Sequence, residues 1–358
     1  MLSFLKYVFA TIVGLFLFIL LFIAIIAGII SSTVDKKEEA NVGQNSVLKL
    51  NLNKAIEERE TDNFFGSIGG PFSQREGSLG LLELRQSIDH ASQDENIKGI
   101  LLEVSNTAAG MATLQELRNA LKDFKKSGKF IVAYGETYSE ASYYLASVAD
   151  KIFLPPPGLL ELNGLESEIM FFKGTLEKLE LKPEVFKVGE FKSAVEPFIL
   201  EKMSEPNKLQ LTSFLNSIYN HLLSDISVSR NIPVERLKLI SDSMLIRNSE
   251  DALKEKLVTD LGYLDNVDDF LKERLKVSKT EDVNYVSLAS YENSLTPTEN
   301  STNDIAVIYA TGGIESGKGD AGTIGSESLA RELRKARKDE KIKAVVLRIN
   351  SPGGSALA

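Results

Sequence analysis

The sequence has 358 residues, of which 43% are hydrophobic and 25% charged, as in a globular chain of about two domains. Lys and Arg number 41 against 50 Asp and Glu, and the net charge of −9 argues against a nucleic-acid partner. The chain has no cysteine, which excludes thiol peptidases, disulfide scaffolds and Cys-ligated metals. Its two histidines, His90 and His221, lack metal-site spacing, so we expect neither metal nor cofactor.

Residues 7–30 form an apolar run without a single charge. As a helix this run is about 36 Å long, enough for the roughly 30 Å hydrocarbon core of a bilayer. A cleaved signal peptide is the alternative, but its apolar region usually covers only about 7–15 residues. We therefore predict one transmembrane anchor within residues 1–34, in contact with membrane lipid. Flanking lysines occur on both sides and leave its orientation open.

The remaining chain contains an internal repeat. Residues 84–112 align without gaps with residues 329–357, at an offset that pairs Leu84 with Leu329. In each copy a stretch with helical spacing of apolar residues precedes a continuous apolar run, which is typical of a buried parallel strand. The repeat predicts two tandem domains of one fold.

In chain order, the first copy alternates strands and helices. We predict strands at 46–52 and 129–135 with a helix at 113–127 between them, and this alternation indicates an α/β fold with a parallel sheet. Residues 203–280 have a mainly helical pattern. The predicted domain organisation is a first domain over 46–290 with a helical extension, a linker over 291–303 and a second domain beginning at 304–358.

The apolar strand of the second copy runs directly into NSPGGS at residues 350–355. Pro352 fixes its φ angle, and Gly353 and Gly354 allow close backbone approaches. A loop of this kind, followed by a helix, can present N–H groups to an oxyanion; an ordinary strand-to-helix turn is the alternative. The first copy reads SNTAAG at 105–110, so we expect it to have lost this function.

Two blocks carry a family resemblance. The segment KIKAVVLRINSPGGS at 341–355 resembles the strand and loop of bacterial signal peptide peptidase A, of the ClpP/crotonase superfamily. The segment VGEFKSAVEPF at 188–198 is similar to the block that carries the catalytic lysine in the long, tandem form of that family. The resemblance implies a ClpP/crotonase-like tandem repeat behind the N-terminal transmembrane helix.

The resemblance further implies a serine–lysine dyad acting on signal peptides. Lys192 would be the general base, in desolvated surroundings that keep its amine neutral, and Gly353 and Gly354 would hold the oxyanion. It also implies a homo-oligomer, a tetramer in the family. The protein would then lie in the inner (cytoplasmic) membrane, with its soluble part in the periplasm.

The nucleophile is expected beyond Ala358. In the family it comes from a helix start after the next strand, and in the first copy this place falls at Glu140, with Ser142 nearby. The repeat offset places the counterpart in the second copy past the last residue. The chain is therefore expected to be an inactive front part of a longer peptidase, and Ser355 is the second choice for the nucleophile.

Two other functions remain open. The fold and loop also suit a crotonase-type acyl-CoA enzyme, against which the anchor and the Lys192 block argue. A non-catalytic, membrane-tethered assembly module is the other alternative, because the first copy has lost its loop.

Overall fold

The computed structural model of the chain describes residues 2–33, 42–59, 78–295, 302–320 and 322–358. Within the first helix, side chains are described for Phe4 and residues 6–22. This helix, α1 (Leu2–Thr33), has 32 residues. Within the described part of the chain, no helix is both long and apolar enough to cross a membrane. The predicted anchor at 7–30 includes residues 23–30, whose side chains lie outside the described residues.

The first domain is organised around a parallel sheet of six strands. The described residues of the domain form ten strands, in chain order β1 (Ser46–Asn51), β2 (Ile56–Glu57), β3 (Leu79–Gly80), β4 (Ile97–Glu103), β5 (Phe130–Tyr134), β6 (Thr137–Tyr138), β7 (Lys151–Leu154), β8 (Leu159–Leu160), β9 (Asp260–Leu261) and β10 (Tyr285–Ser287). The sheet order is β10-β1-β4-β5-β7-β9, and every pair is parallel. The predicted α/β class with a parallel sheet is confirmed.

Helices cover both faces of this sheet. The described helices of this domain are α2 (Leu81–Gln93), α3 (Met111–Lys125), α4 (Glu140–Ala146), α5 (Lys173–Lys178), α6 (Glu196–Ile199), α7 (Glu205–Arg230), α8 (Val234–Asp242), α9 (Ser249–Lys254), α10 (Leu264–Leu275) and α11 (Leu288–Ser294), and all except α5 and α6 contribute to the layers against the sheet. Successive strand residues face opposite sides of the sheet. Leu48 belongs to the apolar core formed with α2, α3 and α7, whereas Val47 belongs to the core formed with α10. Because both faces are covered, the central strand β5 is buried at every position.

One long segment of the first domain stands apart from these layers. Residues 163–204, called the arm here, contain only the short helices α5 and α6, and most of their side chains are exposed. Large apolar side chains are among them: Phe186 is 95% and Val188 90% exposed. The arm leads into α7, whose far half returns to the core through Leu222, Leu223 and Ile226.

The second copy repeats the first in its backbone pairing. It comprises β11 (Asp304–Thr311), β12 (Gly313–Glu315), β13 (Thr323–Gly325), α12 (Ser326–Lys338) and β14 (Ile342–Asn350). Ser46 pairs with Ile97 in the first copy, Asp304 pairs with Ile342 in the second, and both ladders shift register immediately afterwards. The short pair β2–β3 likewise has its counterpart in β12–β13. The same strand pairing therefore occurs in both copies.

A charge cluster joins the two copies. Arg348, on β14, donates to Glu58 and, at 2.9 Å, to Glu116 on α3. Glu116 in turn accepts from Arg85 at 2.7 Å. Burial acts to raise the pKa of Glu116, but the hydrogen bonds and charges of Arg85 and Arg348 outweigh it, so the pKa lies below its ordinary value.

The first domain extends further than its predicted end. Residues 291–295 were expected in the linker, yet α11 runs to Ser294 and Tyr291 is only 1% exposed. The Tyr291 hydroxyl donates to Asp94 at 3.1 Å, which fastens α11 beside α2. Residues 296–301 of the expected linker lie outside the described residues.

Candidate active site

The glycine loop after β14 is held against β12 by its backbone. The Ile314 N–H donates to the Gly353 carbonyl, and the Ser355 N–H donates to the Ile314 carbonyl, both at 3.0 Å. Gly353 has a φ of 103°, a conformation that favours glycine. A Cβ on Gly354 would stand 2.3 Å from the Ile314 oxygen. Both glycines are therefore required by the loop geometry.

The two glycine N–H groups differ in their partners. The Gly353 N–H donates to the Ser351 hydroxyl at 3.1 Å. The two hydrogen bonds with Ile314 are made by the Gly353 carbonyl and the Ser355 N–H, which flank Gly354. The Gly354 N–H therefore faces away from β12. It has no hydrogen-bond partner among the described residues. A free N–H on a fixed backbone is the kind of group that can bind an oxyanion.

The first copy holds the corresponding loop with its own side chains. The Asn53 Oδ1 accepts the N–H of Ser105 at 2.6 Å and of Asn106 at 3.2 Å. Ala108 and Ala109 stand where the second copy has glycines, and neither has a positive φ. The N–H of Ala109 is likewise without a hydrogen-bond partner in the described part of the chain. The two loops therefore differ in backbone conformation and in the side chains around them.

Ser142 fills the space in front of this first loop. It is fully buried, donates to the Ser105 carbonyl at 2.8 Å and accepts the Thr107 N–H at 3.3 Å. The hydroxyl oxygen of Ser139, the N-cap of α4, lies 3.0 Å from the hydroxyl oxygen of Ser142. A serine in these surroundings has a structural role, because its hydroxyl is engaged and no substrate can reach it.

Glu140 lies where the family resemblance puts the nucleophile position of the first copy. Its Oε1 accepts the N–H groups of Asn163 at 2.8 Å and Gly164 at 2.7 Å. Burial raises the pKa of Glu140, although these two hydrogen bonds oppose the rise. Glu140 therefore holds the beginning of the arm.

Lys192 lies on the arm, outside the sheet core. It is exposed and lines an open concavity of about 560 Å³ with Phe186, Val188 and Phe191. The desolvated surroundings expected for this lysine are not provided by the residues that the structure describes: its apolar neighbours are present, but Phe191 is itself 50% exposed. The concavity is lined by residues 186–195 of the arm, whereas Gly353 and Gly354 lie against β12.

Ser355 is exposed at the end of the glycine loop. Its hydroxyl accepts the Ala358 N–H at 3.2 Å. Among the described residues, no basic side chain is hydrogen-bonded to Ser355.

Relatives of the chain carry peptidase names. Residues 123–278, which contain the arm, match the model of peptidase family S49. The chain is 34% identical over 315 residues to Protease 4 of Salmonella typhi, a match covering 85% of the chain and 51% of that protein. The chain belongs to peptidase family S49. This agrees with the resemblance carried by the 188–198 and 341–355 blocks.

Further S49 relatives give the same result. Protease 4 of Haemophilus influenzae is 31% identical over 354 residues, covering 94% of the chain and 57% of that protein. The chloroplastic serine protease SPPA of Arabidopsis thaliana is 32% identical over 315 residues, covering 82% and 44%. The chain thus spans about half the length of the curated relatives it matches.

Sequence reasoning did not anticipate the structural contacts of this region. Asn53, which follows β1, accepts hydrogen bonds from two backbone amides of the loop after β4. In the sequence it is only one Asn in a polar stretch, which does not predict this role. Glu196, four residues after Lys192, is buried and hydrogen-bonded, although it lies in the block that carries the resemblance.

Proposed function

We propose that this chain supplies the general base and the oxyanion loop of a membrane-anchored serine endopeptidase. Its substrates would be cleaved signal peptides or other peptides released from the membrane. The observation that carries the proposal is the backbone of Gly353 and Gly354, which alanine could not reproduce and which leaves one N–H free. Membership of family S49 and the Lys192 block support the peptidase chemistry.

The proposed reaction needs three groups. A serine hydroxyl, placed beyond Ala358 in the longer protein, attacks the peptide carbonyl carbon and gives its proton to the neutral amine of Lys192. The carbonyl oxygen becomes an oxyanion, which the Gly354 N–H stabilises. The protonated lysine then passes the proton to the leaving amine, and water releases the acyl-enzyme by the same route.

A neutral lysine requires surroundings that this chain alone does not supply. Lys192 is exposed, and Phe186 and Val188 beside it are almost fully so. A cover that removes water from these apolar side chains would also favour the uncharged amine. We propose that the second copy provides this cover, either within one chain or between neighbours in a homo-oligomer, a tetramer by resemblance. The active site then forms between the copies.

The N-terminal helix is proposed as the anchor. The 32 residues of α1 and the uncharged run at 7–30 support a single span, with the soluble part on the periplasmic side of the inner membrane. Protease added to spheroplasts should digest the soluble part. Protection in intact spheroplasts, followed by digestion after lysis, would contradict this orientation.

Labelling of the full-length protein by a fluorophosphonate probe tests the proposed function. We expect one serine beyond residue 358 to be labelled. Labelling of Ser355 instead would support the second choice of nucleophile. Absence of labelling would favour the non-catalytic assembly module, and turnover of coenzyme A thioesters would favour the acyl-CoA enzyme.

A further inference from the structure

The arm has a single buried side chain, and that side chain is a carboxylate. Across residues 163–204 only Glu196 is buried, at 1% exposure. Its chain neighbours on α6 are not: Phe198, for example, is 45% exposed. A segment without an apolar core needs other contacts to hold one conformation, and a buried carboxylate must itself be hydrogen-bonded.

Glu196 is fully engaged by the start of α7. Its carboxylate accepts the Ser204 hydroxyl at 2.5 Å and N–H at 3.2 Å, and the Asn207 side-chain amide at 2.9 Å. Ser204 is also the N-cap of α7, accepting the Asn207 N–H at 3.3 Å. Burial acts to raise the pKa of Glu196, but these hydrogen bonds outweigh it and the pKa lies below its ordinary value.

The same residue is joined through its backbone to the turn that carries Lys192. The Glu196 N–H donates to the Ser193 carbonyl at 2.9 Å, and the Ser193 N–H donates to the Phe191 carbonyl at 3.1 Å. At its other end, α7 is packed in the main core. A continuous set of contacts therefore leads from the core through α7 and Glu196 to the lysine turn.

We propose that Glu196 is a positioning residue for Lys192. Its carboxylate fastens the turn of residues 191–196 to the N-terminus of α7 and so fixes where the lysine amine meets the attacking serine. This inference rests on the proposed function. Because this polar contact holds the turn, the exposed side chains of Phe186 and Val188 remain available to the surface that covers Lys192.

Two substitutions in the full-length protein test this role. Glu196→Ala removes every side-chain contact, and Glu196→Gln keeps the shape and part of the acceptor capacity. We expect kcat to fall about 10- to 100-fold in the alanine variant, because displacing a catalytic group by about 1 Å has effects of this size. The glutamine variant should be intermediate, and KM should stay within about twofold for both.

Limited trypsin digestion gives a readout that does not depend on activity. The bond after Lys192 should be cut faster in Glu196→Ala, whereas the bond after Lys178, in α5, should be cut at the wild-type rate. Glu190→Gln is the matched control, since it removes a nearby exposed carboxylate that has no described contact. This variant should match the wild type in kcat and in cleavage after Lys192.

The outcomes separate this inference from the proposed function. Wild-type kcat and wild-type cleavage after Lys192 in Glu196→Ala would overturn the positioning role, as would equal effects of Glu190→Gln and Glu196→Ala. If Lys192→Ala kept its rate while Glu196→Ala loosened the turn, the catalytic assignment of Lys192 would fail and the anchoring contact would stand.

Discussion

The loops after β4 and β14 leave equivalent strands but have different surroundings. In the first copy, Asn53 and Ser142 bind the backbone amides that lead into the loop. In the second copy, Gly353 adopts a positive φ and Gly354 packs directly against the Ile314 carbonyl. The first loop has side-chain acceptors for the amides of residues 105–107, and the second takes its shape from its two glycines.

Under the proposed mechanism, this difference divides one active site between the two copies of the fold. In the first copy, Ser142 and Glu140, which lie at and beside the position that the resemblance gives to the nucleophile, make hydrogen bonds to the backbone. This copy keeps the arm with Lys192. The second copy keeps the glycine loop. If the proposed site is shared in this way, substitutions in either copy should reveal its separate contribution.

Lys192→Ala in the full-length protein should lower the rate of peptide hydrolysis by about 10²- to 10⁴-fold, because it removes the general base. Lys187→Ala, an exposed lysine on the same arm, is the control and should keep the wild-type rate. Steady-state hydrolysis of a fluorogenic peptide measures both. A Lys192→Ala variant with more than about a tenth of the wild-type rate would contradict the assignment.

Gly354→Ala should lower kcat by about 10²- to 10³-fold, as expected when an oxyanion donor is displaced. The added Cβ would clash with the Ile314 oxygen, so the loop must shift. The matched change in the first copy is Ala109→Gly, at the corresponding loop position, and it should leave kcat within about twofold. Equal effects at the two positions would show that the copies are not divided in this way.

Ser142→Ala should reduce the free energy of unfolding of the first domain by about 1–3 kcal/mol, because it leaves the buried Thr107 N–H without an acceptor. Activity per folded molecule should not change. Ser355→Ala is the comparison in the second copy: this serine is exposed, and its loss should alter neither stability nor rate. Denaturant titration and the peptide assay provide the two measurements. Loss of activity in Ser142→Ala without loss of stability would indicate a catalytic serine.

Arg348→Met should weaken the contact between the copies by about 1 kcal/mol, an amount limited by solvent screening of a partly exposed cluster. Lys343→Met, on the same strand, should have no effect, since its amine only donates to the Glu340 carbonyl. Protease protection of residues 304–358 measures the contact. Equal protection of this segment in the two variants would show that the charge cluster does not hold the copies together.

The Glu116 part of that contact should depend on pH. Its pKa is lowered in the folded state, so its contribution is complete above the ordinary carboxyl value of 4.5. The contribution is lost as the pH falls through the lower folded-state value. Protection of residues 304–358 should therefore decrease in acid in the wild type, and this decrease should be smaller in Arg348→Met.

The repeat and its strands could be predicted because they follow apolar periodicity. The ungapped match of Leu84 with Leu329 places α2 and α12, and β4 and β14, in equivalent positions. The helix α11 could not be predicted in this way. It has seven residues and one deeply buried aromatic, Tyr291, in a stretch whose Ser and Asn content favoured a linker.

The site was only partly predictable. The glycine loop follows from Pro352 and the two glycines, because backbone geometry depends directly on these residue types. The exposure of Lys192 could not be predicted from the sequence, since apolar neighbours along the chain do not reveal whether another surface covers the lysine. The roles of Asn53 and Glu196 depend on side-chain contacts between separate segments, which leave no periodic signal.

Cross-linking of paired cysteines tests the divided site most directly, because the chain has no natural cysteine. In the full-length protein, Lys192→Cys would be combined with Ser355→Cys, and in a control protein with Gly110→Cys, the corresponding position of the first copy. Both loop positions are exposed. A short bismaleimide should join Lys192→Cys to Ser355→Cys, within one chain or between neighbours, and should not join it to Gly110→Cys. Cross-linking to Gly110→Cys alone would contradict a site shared between the two copies.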